Sequence, residues 1–65
     1  MEKVAIKIKR EEIDGKFYAY VDEDGYEPYG IKGCPMGRGG SFDKAVSDLI
    51  YRIKIESHID VVEKV

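Results

Sequence analysis

The chain has 65 residues, a formal net charge of -2, one cysteine and one histidine. That length allows one domain, spanning 1–65, whose small core calls for oligomerisation or unusual packing to be stable. A lone Cys34 excludes an internal disulfide, Cys34 and His58 alone exclude a protein-only four-ligand zinc site, and the acidic balance argues against a strongly basic nucleic-acid binder.

No apolar run approaches the roughly 18 residues of a membrane span. Met1-Glu2-Lys3-Val4 carries no signal-peptide pattern. The expectation is a soluble cytoplasmic protein with no membrane partner. Charged residues make up 37% of the chain, while Asn, Gln and Thr are absent. Abundant Lys and Glu with few thermolabile amides is the bias of hyperthermophile proteins, and a thermophilic source is expected.

Val4, Ile6 and Ile8 alternate with Ala5, Lys7 and Lys9, the pattern of a half-buried strand. Glu11-Glu12-Ile13-Asp14-Gly15 is polar and ends in Asp-Gly, a hairpin-turn signal. Lys16-Phe17-Tyr18-Ala19-Tyr20-Val21 is a second strand, with Phe17, Ala19 and Val21 on one face and Tyr18 and Tyr20 on the other. Asp22-Glu23-Asp24-Gly25 reads as another turn. A third strand is expected within Tyr26 to Lys32, starting late or at an edge because Pro28 cannot donate to a ladder.

Gly33 to Gly40 reads as a glycine-rich loop feeding a helix. Its glycines are expected to supply positive φ and a path into the first helical turn. Ser41 is the N-cap, and Asp43 suits the positive end of the helix dipole. Val46, Leu49, Ile50 and Ile53 recur at helical spacing, with Ala45 beside them. Ser57 and His58 are terminators. The tail from Ile59 is a fourth strand or a continued helix. A strand is favoured because Ile and Val dominate it.

This order predicts an α+β fold: a two-layer sandwich, β-β-β-α-(β), with an antiparallel sheet covered on one face by one helix. Val46, Leu49, Ile50 and Ile53 then pack on Ile6, Ile8, Phe17 and Val21. The other face carries Ala5, Lys7, Lys9, Tyr18 and Tyr20.

The motifs and spacings Asp14-Gly15, Tyr18-Ala19-Tyr20-Val21, Gly33-Cys34, and Ser41 followed by Ala45 resemble the N-terminal domain of HicB-like antitoxins. The likeness spans most of residues 4 to 55. The chain departs from the family pattern in two places. A longer Asp22 to Lys32 stretch replaces the usual short Pro-containing link, and Lys44 stands where an acidic residue normally precedes the helix Ala. The resemblance implies a partial ribonuclease H-like fold, often dimeric, that binds and blocks a small double-stranded-RNA-binding-like toxin that cleaves RNA. Full-length members add a C-terminal DNA-binding domain. No such domain is expected after Val65, and autoregulation of transcription is not expected of this chain alone.

No catalytic or metal motif is complete. Gly39-Gly40-Ser41 lacks the Lys of a phosphate-binding loop. Asp22-Glu23-Asp24-Gly25 lacks the spaced ligands and closing Glu of a calcium loop. Asp14, Asp22 and Asp43 lack a central carboxylate on the Val4 to Lys9 strand, so a two-metal ribonuclease site has no anchor. Cys34 has no activating base in its surroundings in sequence. The chain therefore reads as a non-enzyme without cofactors.

Two sets of residues remain as candidate sites. Arg38, Gly39, Gly40 and Ser41 fall at the expected helix N-terminus, where free N–H groups can hold an anion, though the glycines serve equally as simple backbone hinges. Lys7, Lys9, Tyr18 and Tyr20 interleave cations and aromatic rings on the uncovered sheet face. That face is a homodimer or partner-protein interface, an ordinary solvated surface, or a single-stranded RNA platform.

Overall fold

The computed structural model describes residues 3–22 and 35–64. Six elements follow in order: β1 (Val4–Ile6), β2 (Ile8–Ile13), β3 (Lys16–Val21), β4 (Met36–Gly39), α1 (Phe42–Ser57) and β5 (Val61–Glu63). The fold is α+β, with one helix packed against a three-stranded antiparallel sheet in the order β2-β3-β4, plus a parallel pair, β1-β5.

The alternation of the first ten residues extends further than the apolar positions alone suggest. Its strand character persists through Glu11 and Glu12 to Ile13, broken only at Lys7. The two sheets share this segment. The Ile6 carbonyl accepts from Lys64 N–H, and the next carbonyl, that of Lys7, accepts from Asp22 N–H. Successive carbonyls of an extended chain point to opposite edges. One edge of the segment therefore takes β5 and the other takes β3.

Asp14 and Gly15 turn the chain from β2 into β3, both with positive φ, at 51° and 77°. Two central residues in that region make the tight hairpin turn whose twist matches the strands. The closing pair is Ile13 and Lys16, which sets Lys9 opposite Tyr20 and Ile8 opposite Val21.

β4 corrects the sequence reading. Met36 to Gly39 was expected to be a glycine loop, and it is a strand antiparallel to β3, with Tyr18 opposite Arg38 and Ala19 opposite Gly37. The strand expected within Tyr26 to Lys32 lies outside the described residues, as do Cys34 and most of the second acidic turn. Gly37 and Gly39 do not serve positive φ either; among the described glycines only Gly15 has it. They let the helix approach. A Cβ on Gly37 would stand 2.1 Å from the Ala45 carbonyl oxygen, and one on Gly39 would stand 2.6 Å from Lys44 Cβ.

α1 begins at Ser41, whose extended backbone and Oγ, accepting from Lys44 N–H at 3.2 Å, form the N-cap. It ends at His58, whose left-handed backbone donates its N–H to the Lys54 carbonyl. Ala45, Leu49 and Ile53 are buried against Ile6, Ala19, Val21 and Val61. Val46, Ile50, Ile8 and Phe17 pack around this core. Phe17 also meets Phe42 edge to face, with centroids 4.8 Å apart, which seats the first helical turn on the sheet. The tail resolves as the strand β5, not a continued helix. It runs parallel to β1, with Val4 opposite Val61, as a two-stranded pair beside the expected antiparallel sheet.

Candidate functional site

The helix covers one face of the sheet because β4 offers it bare backbone and β3 offers it Phe17, Ala19 and Val21. Residues alternate across a strand. Met36 and Arg38 therefore face away from α1, as do Tyr18 and Tyr20. The strand registers assemble two rows on this second face: Lys9, Tyr20 and Met36 in one, Glu11, Tyr18 and Arg38 in the next. Lys7 stands at the junction of β1 and β2, beyond the first row, and Ile13 pairs with Lys16 at the hairpin end.

Tyr18 and Tyr20 are half-buried, whereas Lys7, Lys9, Met36 and Arg38 are exposed. Ile13 and Met36 leave 49% and 47% of their surface open, which adds apolar area to a face that carries cations. Sequence alternation alone grouped Lys7, Lys9, Tyr18 and Tyr20, and β2–β3 pairing sets Lys9 opposite Tyr20. Met36, Arg38 and Glu11 were missed as their neighbours. The signal was present in Met36-Gly37-Arg38-Gly39, where glycine at every second position leaves all side chains on one face.

The second set of candidates is divided by the fold. Arg38 sits in β4 with its side chain on the tyrosine face, while Ser41 caps the helix. The Ser41 Oγ is engaged with the Lys44 N–H, and the Arg38 N–H donates to Asp48 Oδ2 at 2.9 Å. Gly39 lies against the first helical turn, and Gly40 stands in open space. An anion cradle made jointly by Arg38 and the helix N-terminus is not assembled.

Asp48 instead ties the helix to the sheet edge. One carboxylate oxygen takes both the Arg38 N–H and Arg52 Nε–H, each at 2.9 Å. The backbone bond from Arg38, then the Arg52 bond, hold the Asp48 carboxyl below its ordinary pKa. On the opposite edge, both terminal nitrogens of Arg10 grip the two oxygens of Glu63. That fork lowers the Glu63 pKa and raises that of Arg10. Lys54 reaches Asp60 at 3.4 Å and braces the link between α1 and β5.

Among the described residues no three His, Cys, Asp or Glu side chains gather as a metal would require. Asp14 is in the hairpin turn and Asp43 in the first turn of α1. A shallow depression of about 270 Å³ lies along α1 beside Asp48, Tyr51, Arg52, Ile55 and Glu56. Two of these residues, Asp48 and Arg52, are already bonded to each other. No helix among the described residues is long and apolar enough to cross a membrane. No family model, curated protein or solved structure matches the chain.

Proposed function

We propose that this chain is a non-catalytic protein-binding module of the HicB-like antitoxin kind, which binds and blocks a small basic RNA-cleaving toxin. The observation that carries the reading is the face opposite α1. Tyr18 and Tyr20 lie half-buried along one strand, flanked by exposed Met36, Arg38 and Lys9. Tyrosine, methionine and arginine are the residues enriched at protein interfaces, and a rigid sheet presents them with little ordering entropy to lose. The net charge of -2 favours encounter with a basic partner. In this reading the module acts in the cytoplasm as a homodimer and needs no cofactor.

The test is a calorimetric titration of the full chain with a small, basic, double-stranded-RNA-binding-like toxin, sought as the product of a neighbouring gene. Saturable binding that weakens in Tyr18→Ala and Tyr20→Ala supports the reading. No heat of binding, or binding indifferent to both substitutions, counts against it.

A second reading has its own observation. Lys9 stands opposite Tyr20 and Arg38 opposite Tyr18, so each ring has a cation beside it. Such a face can stack bases and hold phosphates of single-stranded RNA. Filter binding across a salt series separates the two: RNA affinity that falls steeply with salt favours this reading, and none removes it.

A further inference from the structure

Tyr18 stands between two opposite charges that do not pair. Its partner across one strand boundary is Glu11, and across the other it is Arg38. Arg38 turns its N–H outward to Asp48, so it and Tyr18 form a pair without mutual backbone bonds, the closer of the two antiparallel kinds. Glu11 and Arg38 are both exposed. They lie two strands apart, with about 10 Å between their backbones. Elsewhere Arg10, Arg52 and Lys54 each reach a carboxylate. By contrast, no described group bonds to the side chain of Glu11 or of Arg38.

We infer that the row Glu11, Tyr18, Arg38 is a guanine-selective subsite for single-stranded RNA, an inference that rests on the RNA reading of this face. A base stacked on the Tyr18 ring has Glu11 on one side and Arg38 on the other. A carboxylate only accepts, and a guanidinium only donates. The row therefore selects a planar group with donors along one edge and acceptors along another. Guanine has both: N1–H and the N2 amine on its Watson–Crick edge, O6 and N7 on its Hoogsteen edge. Glu11 takes the two neighbouring N–H groups, and Arg38 donates to O6 and N7. The other bases fit Glu11 poorly. Adenine and cytosine set a ring-nitrogen acceptor beside their amine, and uracil sets its N3–H between two carbonyl oxygens.

The guanine belongs to a strand, not to a free nucleotide. On this face Lys7, Lys9, Lys16 and Arg38 outnumber Glu11 and Asp22, so the face is cationic although the whole chain carries -2. Tyr20 lies two residues along β3, about 7 Å away, and offers a second ring. Lys9 and Met36 flank it, with no carboxylate in the row, so this second position takes any base. Exposed Lys16 and Lys7 stand at the two ends of the tyrosine pair, placed for the phosphates on either side. A single nucleotide uses neither the second ring nor the cations at both ends.

The test is fluorescence anisotropy of the full chain with a short labelled oligouridine and with the same strand carrying one central guanosine. At low salt the guanosine strand is expected to bind about tenfold more tightly. Inosine in its place lacks the N2 amine, and 7-deazaguanosine lacks N7; each should lose most of that gain. Glu11→Gln should remove the preference while affinity for oligouridine holds or rises, because a charge that repels phosphate is gone. Glu11 is exposed, and a cooperative melt of the variant checks its fold. Equal affinity for the two strands, or a preference that survives both Glu11→Gln and inosine, overturns the guanine subsite and leaves the RNA reading standing. Binding of neither strand at low salt removes the RNA reading, and the subsite with it. Guanosine monophosphate that binds as tightly as the guanosine strand overturns the assignment to a strand.

Discussion

Gly37 presses its backbone onto Ala45: a Cβ at Gly37 would lie 2.1 Å from the Ala45 carbonyl oxygen and 2.4 Å from the Leu49 nitrogen. Both obstacles are backbone, so neither can swing aside as a side chain would. The glycine is the reason the helix can lie on β4 at all.

Gly37→Ala should therefore cost about 2–3 kcal/mol, at the upper end of overpacking, because helix and strand must separate. Gly40→Ala meets nothing within 4 Å and has no positive φ. It should be within about 0.5 kcal/mol of wild type. Urea melts of the two variants check the contrast. Equal destabilisation would mean that glycine here serves chain flexibility and not close approach.

The helix phase makes a second prediction. Leu49 is fully buried at the centre of the core, and Leu49→Ala should cost about 2–5 kcal/mol. Ser41→Ala loses the cap to Lys44 N–H and should cost about 0.5–2 kcal/mol. Lys44 is exposed, and Lys44→Ala should change stability by less than about 0.5 kcal/mol. Thermal melts that ranked Lys44→Ala with Leu49→Ala would refute this packing.

Where the sequence was legible, a local rule and the tertiary structure agreed. The alternation through Ile8, the Asp14-Gly15 turn, the Ser41 cap and the Val46, Leu49, Ile50, Ile53 stripe each required only neighbours in sequence, although the structure buries Ala45 with Leu49 and Ile53 and leaves Val46 and Ile50 partly buried. The two-residue turn also set Lys9 against Tyr20, since a hairpin loop of that length leaves one register. β4 was illegible because its two glycines erase the side chains by which a strand is recognised. Their purpose lies in a helix that comes later in the chain. The parallel pairing of β5 was illegible for a related reason: its partner, β1, lies at the other end of the described chain. The missed Arg38 follows from the missed strand. Placed in a loop, it was assigned to the helix N-terminus, whereas in β4 it belongs beside Tyr18.

The carboxylates give a pH dependence. Hydrogen bonds from Arg38 and Arg52 lower the Asp48 pKa, and those from Arg10 lower that of Glu63. A carboxyl whose folded pKa lies below its unfolded value contributes stability above the unfolded value, about pH 4–5, and loses it as pH falls through the folded value. The melting temperature should decline on acidification through that range. Asp48→Asn keeps an acceptor for the Arg38 N–H but removes the charge. It should lower stability at neutral pH and flatten the acid limb, as should Glu63→Gln. Melting curves from pH 7 to pH 2 that run parallel for wild type and both variants would show that these ion pairs add nothing.

The measurement closest to the central claim is inhibition of RNA cleavage. A small basic RNA-cleaving protein of the double-stranded-RNA-binding-like kind would be assayed on a single-stranded RNA while the full chain is titrated in. The account predicts that wild type abolishes cleavage at a fixed molar ratio, and that folded Tyr18→Ala and Tyr20→Ala variants need a large excess to do so. Cleavage that continues undiminished at saturating wild-type chain, or inhibition that both tyrosine variants reproduce in full, would contradict it.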